Sequence, residues 1–116
     1  MNYNEFVKAL LKSGDQIKNE LTPSECHLIH MTLGLSGEAG ELLDAVKKST
    51  IYRKPLDMEN VIEELGDIEF FLEGFRQSVG LTREQCIESN ISKLSARYHK
   101  LSYSNDQAQE RADKNA

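Results

Sequence analysis

The segment that most constrains the fold is TPSECHLIHMTLGLSGEAGELLDAVKKST, residues 22–50. Its first residues form a helix start: Thr22 can cap, Pro23 suits the first helical position, and Glu25 completes a capping box. From there Leu28, Leu35, Ala39, Leu42, Leu43 and Val46 recur at helical spacing. A helix from Pro23 to Thr50 would be about 42 Å long at 1.5 Å per residue. A globule of 116 residues has a radius of gyration of about 13 Å, hence a diameter near 35 Å. Either the helix breaks near Gly34–Gly37, or a second subunit covers what protrudes. Both outcomes suit a homo-oligomeric helical bundle, a dimer or larger.

The remaining pattern is helical too, which predicts an all-α fold of four to five helices in a single domain over residues 1–116. Phe6, Leu10, Leu11 and Ile17 mark a first helical stretch, interrupted or ended at Ser13-Gly14-Asp15. The loop from Tyr52 to Leu56, with Pro55, closes the long segment. Asp57 is placed to cap a helix carrying Val61, Leu65, Ile68, Leu72, Phe75 and Val79, and Gly80 to end it from the position after its last turn. TREQ repeats the capping-box pattern at Thr82 and Gln85 and opens a helix through Ile87, Ile91 and Leu94 to Tyr98. Residues 102–116 read as a polar, partly mobile tail, with a short marginal helix from Asn105 to Arg111.

Charge narrows the partners. The formal net charge of −5 disfavours non-specific binding to nucleic acid or to anionic membranes. No apolar run is long enough to span a bilayer, and MNYNEFVKAL lacks the basic start and apolar core of a secretory signal. Cys26 and Cys86 form no CxxC motif and read as reduced thiols. A cytoplasmic protein is expected.

Within the long segment, three glycines and two glutamates interrupt good helix formers. Each glycine costs a helix roughly 1 kcal/mol relative to alanine. Glu38 and Glu41 form ExxE in SGEAGEL, and Glu64 and Asp67 form ExxD in IEELGDI. Residues three apart share a helix face, and two consecutive helices with a short connection can pack antiparallel and bring both pairs together. At about 5 Å and an effective dielectric near 20, each carboxylate pair would repel by on the order of 3 kcal/mol. A cation relieves this, and oxygen-only ligands select a hard one such as Mg²⁺ or Mn²⁺. Neither pair carries histidine at its second position, unlike the Glu-x-x-His of bundle-type di-iron sites. Either pair alone is more often a solvated face. The glycines set among these acids suggest that room is being made for a ligand or a neighbouring backbone.

The combination GLSGEAGELLDAVKK, NVIEELGDIEFFL and NISKLSARY resembles the MazG-type nucleotide pyrophosphohydrolases of the all-α NTP pyrophosphatase superfamily. The closest similarity is to small single-domain members of the kind often found in bacteriophages, and it covers roughly His27 to Arg111. The resemblance implies a bundle assembled as dimers or tetramers, in the host cytoplasm if phage-encoded. It implies Mg²⁺-dependent cleavage of a nucleoside triphosphate between the α and β phosphates, with Mn²⁺ as a substitute ion. Glu38, Glu41, Glu64 and Asp67 match the family's metal ligands. Glu63 would be an outer ligand or would orient the attacking water, and it reads equally as a solvated neighbour.

For the phosphates, Asn90, Lys93 and Arg97 fall on one stripe of a helix and match the family motif together with Tyr98, with a solvated basic stripe as the alternative. Arginine can bind an oxyanion in a bidentate fashion, and lysine acts as a mobile point charge. Lys48 returns to nearly the face of Glu41 and is a further phosphate candidate beside Lys47 and Lys54, with a surface lysine as the alternative. His27 and His30 lack the further ligand a zinc site needs. His30 reads chiefly as a core or surface histidine, with a place in the lining of a nucleotide pocket as the alternative, and Phe70, Phe71 and Phe75 read chiefly as core aromatics. Arg111 matches a position where similar sequences carry Arg-Asp. The short loop from Ser49 to Leu56 leaves little room for a specificity insert, so modest base selectivity is expected. The competing reading is a non-catalytic helical module, a nucleotide-binding or dimerising adaptor.

Overall fold

Capping side chains open each of the five helices found among the described residues, and three of the five caps, Thr22, Asp57 and Thr82, are those read from the sequence. The computed structural model describes residues 1–98, 105 and 109. Its elements are α1 (Tyr3–Leu10), α2 (Gly14–Glu20), α3 (Pro23–Tyr52), α4 (Met58–Val79) and α5 (Arg83–Arg97). Among the described residues there are helices, turns and coil, so the fold is all-α.

At the start of α3, Thr22 Oγ1 accepts the Glu25 N–H at 3.2 Å, and Glu25 Oε1 accepts the Thr22 N–H at 2.9 Å. Asn2 and Glu5 make the same reciprocal pair at α1, and Thr82 and Gln85 make it at α5. Asp57 Oδ1 accepts the Asn60 N–H at 3.2 Å, which caps α4. Ser13 does more than interrupt. Its side chain accepts the Gln16 N–H at 3.1 Å and starts α2, so the break after Leu10 is also a beginning.

The chain divides into two compact units, Met1–Phe71 and Leu72–Ala116. In the first, α3 runs unbroken for 30 residues, about 45 Å at the α-helical rise. Of the two outcomes left open by its length, the continuous helix is the one adopted. Its end is set at Arg53, which takes the left-handed conformation at φ 55° and ψ 43°, followed by Pro55 in the turn. Lys54 is tied back to the helix: its N–H donates to the Ser49 carbonyl at 3.0 Å, and Ser49 Oγ donates to the Lys54 carbonyl at 2.6 Å.

The first turns of α4 pack antiparallel to α3, with Phe71 against Gly34 and Glu64 beside Glu38. Met31, Leu35, Glu38, Leu42, Ala45 and Ser49 form the covered stripe of α3, and Val61, Glu64, Ile68 and Phe71 that of α4. Only Met31 and Ala45 are buried among the described residues.

In the second unit α4 ends at Gly80, whose φ of +72° places it in the left-handed region. The Leu81 N–H donates to the Arg76 carbonyl at 2.9 Å, and the Gly80 N–H to the Gln77 carbonyl at 3.3 Å. This closure satisfies carbonyls that the helix end would leave open. No helix among the described residues is long and apolar enough to cross a membrane. Asn105 and Gln109 are helical and exposed; Arg111 and the rest of the expected tail lie outside the described residues.

Candidate metal centre

Antiparallel packing brings the middle of α3 against the second and third turns of α4, and acids meet there. One carboxylate oxygen from each of Glu38, Glu64 and Asp67 can be chosen so that all lie within 4.8 Å of one another. Among the described residues this is the only such group of three or more histidine, cysteine or acidic side chains. Glu38 and Glu64 are half-buried on the covered stripes, while Asp67 is exposed at the edge. Residues 64 and 67 share a face because they are one turn apart.

The cluster is electrostatically stressed. Glu64 is pushed from an ordinary 4.5 up to about 7, first by a carboxyl–carboxyl hydrogen bond to Glu38, then by desolvation and the charges of Glu38, Glu41 and Asp67. A proton shared between two carboxylates is what remains when no cation neutralises them. The second oxygen, Glu64 Oε2, is shielded from solvent and has no hydrogen-bond partner among the described residues. Shielded carboxylate oxygens ordinarily find a donor or a metal. A hard divalent ion fits this all-oxygen donor set.

Glu41 is exposed and outside the group of three, though close enough for its charge to raise Glu64. Glu63 is exposed; as the neighbour of Glu64 it projects about 100° around the helix from it. Lys48 Nζ lies 2.8 Å from Asp44 Oδ2, and this hydrogen bond raises the lysine further and lowers the aspartate. The four-residue spacing of that pair was visible in the sequence, but Asp44 drew no attention beside the ExxE. In the second unit, Asn90, Lys93 and Arg97 follow one another along α5, with Lys93 and Arg97 half-buried, and Tyr98 is its C-cap.

His30 meets Phe71 edge-on at 6.4 Å between ring centroids, and Phe71 meets Phe70 at 5.2 Å. The glycines divide. A Cβ on Gly34 would stand 2.2 Å from the Phe71 ring, so this glycine admits an aromatic side chain. Around Gly37, Gly40 and Gly66 no atom of the described residues lies within 4 Å of the corresponding point. Room for a ring, rather than for a ligand, therefore accounts for Gly34, and packing among the described residues gives no account of the other three.

The family model for the MazG nucleotide pyrophosphohydrolase domain matches residues 27–102, from the second turn of α3 to beyond α5. No curated protein and no solved structure gives a significant match.

Proposed function

The chain belongs to the MazG nucleotide pyrophosphohydrolase family, and from that premise we propose that it hydrolyses nucleoside or deoxynucleoside triphosphates between the α and β phosphates, as a single domain acting in the cytoplasm. The products are a nucleoside monophosphate and pyrophosphate. The observation that carries this reading is the shielded, unpartnered Glu64 Oε2 beside Glu38 and Asp67. Glu38, Glu64 and Asp67, with Glu41 at the rim, would hold Mg²⁺, or Mn²⁺ in its place. When bound, such an ion offsets charge on the phosphoryl oxygens and acidifies a water.

The protein's own part is positioning and proton transfer. A water oxygen forms a bond to the α phosphorus as the bond to the α–β bridging oxygen breaks. The electron pair departs with pyrophosphate, and the water's proton passes to a carboxylate. Glu63, beside Glu64 in sequence and outside the ligand set, is the candidate for that base. Lys48, Asn90, Lys93, Arg97 and Tyr98 would contact the substrate, the cations lowering the cost of collecting phosphate charge. The active form is a homodimer or tetramer.

The test is a panel of triphosphates incubated with purified protein and Mg²⁺, with and without EDTA, with products separated chromatographically. Metal-dependent monophosphate plus pyrophosphate is expected. Diphosphate plus orthophosphate would move cleavage to another bond, and binding without turnover would favour the adaptor module.

A further inference from the structure

Along α3 and the part of α4 that pairs with it, up to Phe71, the lysines and arginines are all at one end; Arg76, in the last turn of α4, lies beyond this stretch and pairs with Glu73. Between Thr22 and Phe75 the chain carries four lysines and arginines, Lys47, Lys48, Arg53 and Lys54, and they fall at the end of α3 and the turn that follows. A cavity of about 370 Å³ opens there, lined on the α3 side by Ala45, Lys48, Ser49 and Tyr52 and on the other by Lys54 and Asn60. These residues continue the seam that holds the acids. Ala45 and Lys48 each follow an acid of the ExxE pair by seven residues, and Asn60 precedes Glu64 by four. These are spacings that return to one helix face. At 1.5 Å per residue the cavity begins roughly 6–10 Å along the seam from the acids. At the opposite end of the seam stand His30, Gly34 and Phe71, aromatic and without lysine or arginine.

We propose that this cavity receives the β and γ phosphates of the bound triphosphate and retains them as pyrophosphate after cleavage, with the nucleoside directed toward His30 and Phe71. The proposal rests on the pyrophosphohydrolase reading and assigns a direction to the substrate within it. The cavity is braced for the task. The Ser49–Lys54 hydrogen bonds fix the turn, and Asp44 holds Lys48 Nζ at 2.8 Å, leaving the ammonium further protons to donate. The cavity's own carboxylate, Asp57, is engaged by the Asn60 N–H. Asn60 keeps its side-chain amide as a neutral donor.

Calorimetric titration of inorganic pyrophosphate, and separately of a nucleoside monophosphate, into the Mg²⁺-loaded protein and its Lys54→Gln and Asn60→Ala variants tests this. Both variants should weaken pyrophosphate binding, Lys54→Gln by about tenfold, the scale of one hydrogen bond to a charged group. Monophosphate binding should stay within about twofold. Circular dichroism melts report folding of each variant. Unchanged pyrophosphate affinity in both folded variants, equal loss of monophosphate affinity, or no pyrophosphate binding by the parent protein would overturn the proposal. A parent that binds pyrophosphate through Lys54 yet cleaves no triphosphate would instead overturn the hydrolase reading and leave the cavity's ligand standing.

Discussion

Glu64 makes the site sensitive to protons in a definite direction. Its folded value of about 7 stands above an ordinary 4.5, so between these pH values the folded chain holds a proton that the unfolded chain has released. Stability from this group is therefore greatest below about pH 4.5 and is lost as pH rises through about 7. Glu25, Asp44 and Glu73 are shifted downward, and their opposite contribution falls at lower pH. In EDTA the melting temperature should accordingly fall between about pH 5.5 and 7.5, and Glu64→Gln should flatten that slope. Mg²⁺ competes with the same proton, so its affinity, read by calorimetry, should rise over this interval. The glycines offer a second test at this scale. Gly34→Ala drives a methyl into the Phe71 ring, and overpacking of about 1–3 kcal/mol outweighs the roughly 1 kcal/mol gained in helix propensity. Gly37→Ala meets open space and should stabilise the chain by up to about 1 kcal/mol in urea unfolding.

Helix boundaries were the most legible part of the sequence because caps are local. Thr22 with Glu25, Asp57, Gly80 and Thr82 with Gln85 act on residues within a few positions of themselves, so the chain itself specifies them. Thr22→Ala should cost about 1 kcal/mol, measured by thermal unfolding, and Thr82→Ala a similar amount. The start of α2 at Ser13 escaped the same reasoning because Gly14 and Asp15 read as a break. Unbroken α3 could not be decided locally: its glycines argue for interruption, whereas the covering face of α4, which favours continuity, is contributed by residues beyond the turn. For the same reason ExxE and ExxD could be recognised as candidates, while the pairing of Glu38 with Glu64 and the displacement of Glu41 to the rim depend on helix rotation. Phe71 resting on Gly34 is a contact of this non-local kind.

At the scale of the molecule, the shortage of buried side chains matters most. Only Met31 and Ala45 are buried among the described residues, while Leu33 and Leu43 on α3 and Ile62 on α4 stay about two-thirds exposed. Leu33 and Leu43 face away from the stripe formed by Met31, Leu35 and Leu42, so α3 carries apolar side chains on both sides, the pattern of a helix enclosed by neighbours. A homo-oligomer, as proposed above, would supply them. Sedimentation should give at least twice the chain mass of 13.2 kDa, and Leu33→Asp combined with Leu43→Asp should lower it toward that of one chain; a monomeric parent would refute the assembly. The short turn between α3 and α4 has a temporal consequence. Because Glu38, Glu64 and Asp67 come from consecutive helices, little chain entropy is lost in closing them together, and contacts so near in sequence form quickly. During synthesis the acids can thus meet before α5 has emerged from the ribosome, and a divalent ion captured at that moment would clamp the growing chain into its hairpin.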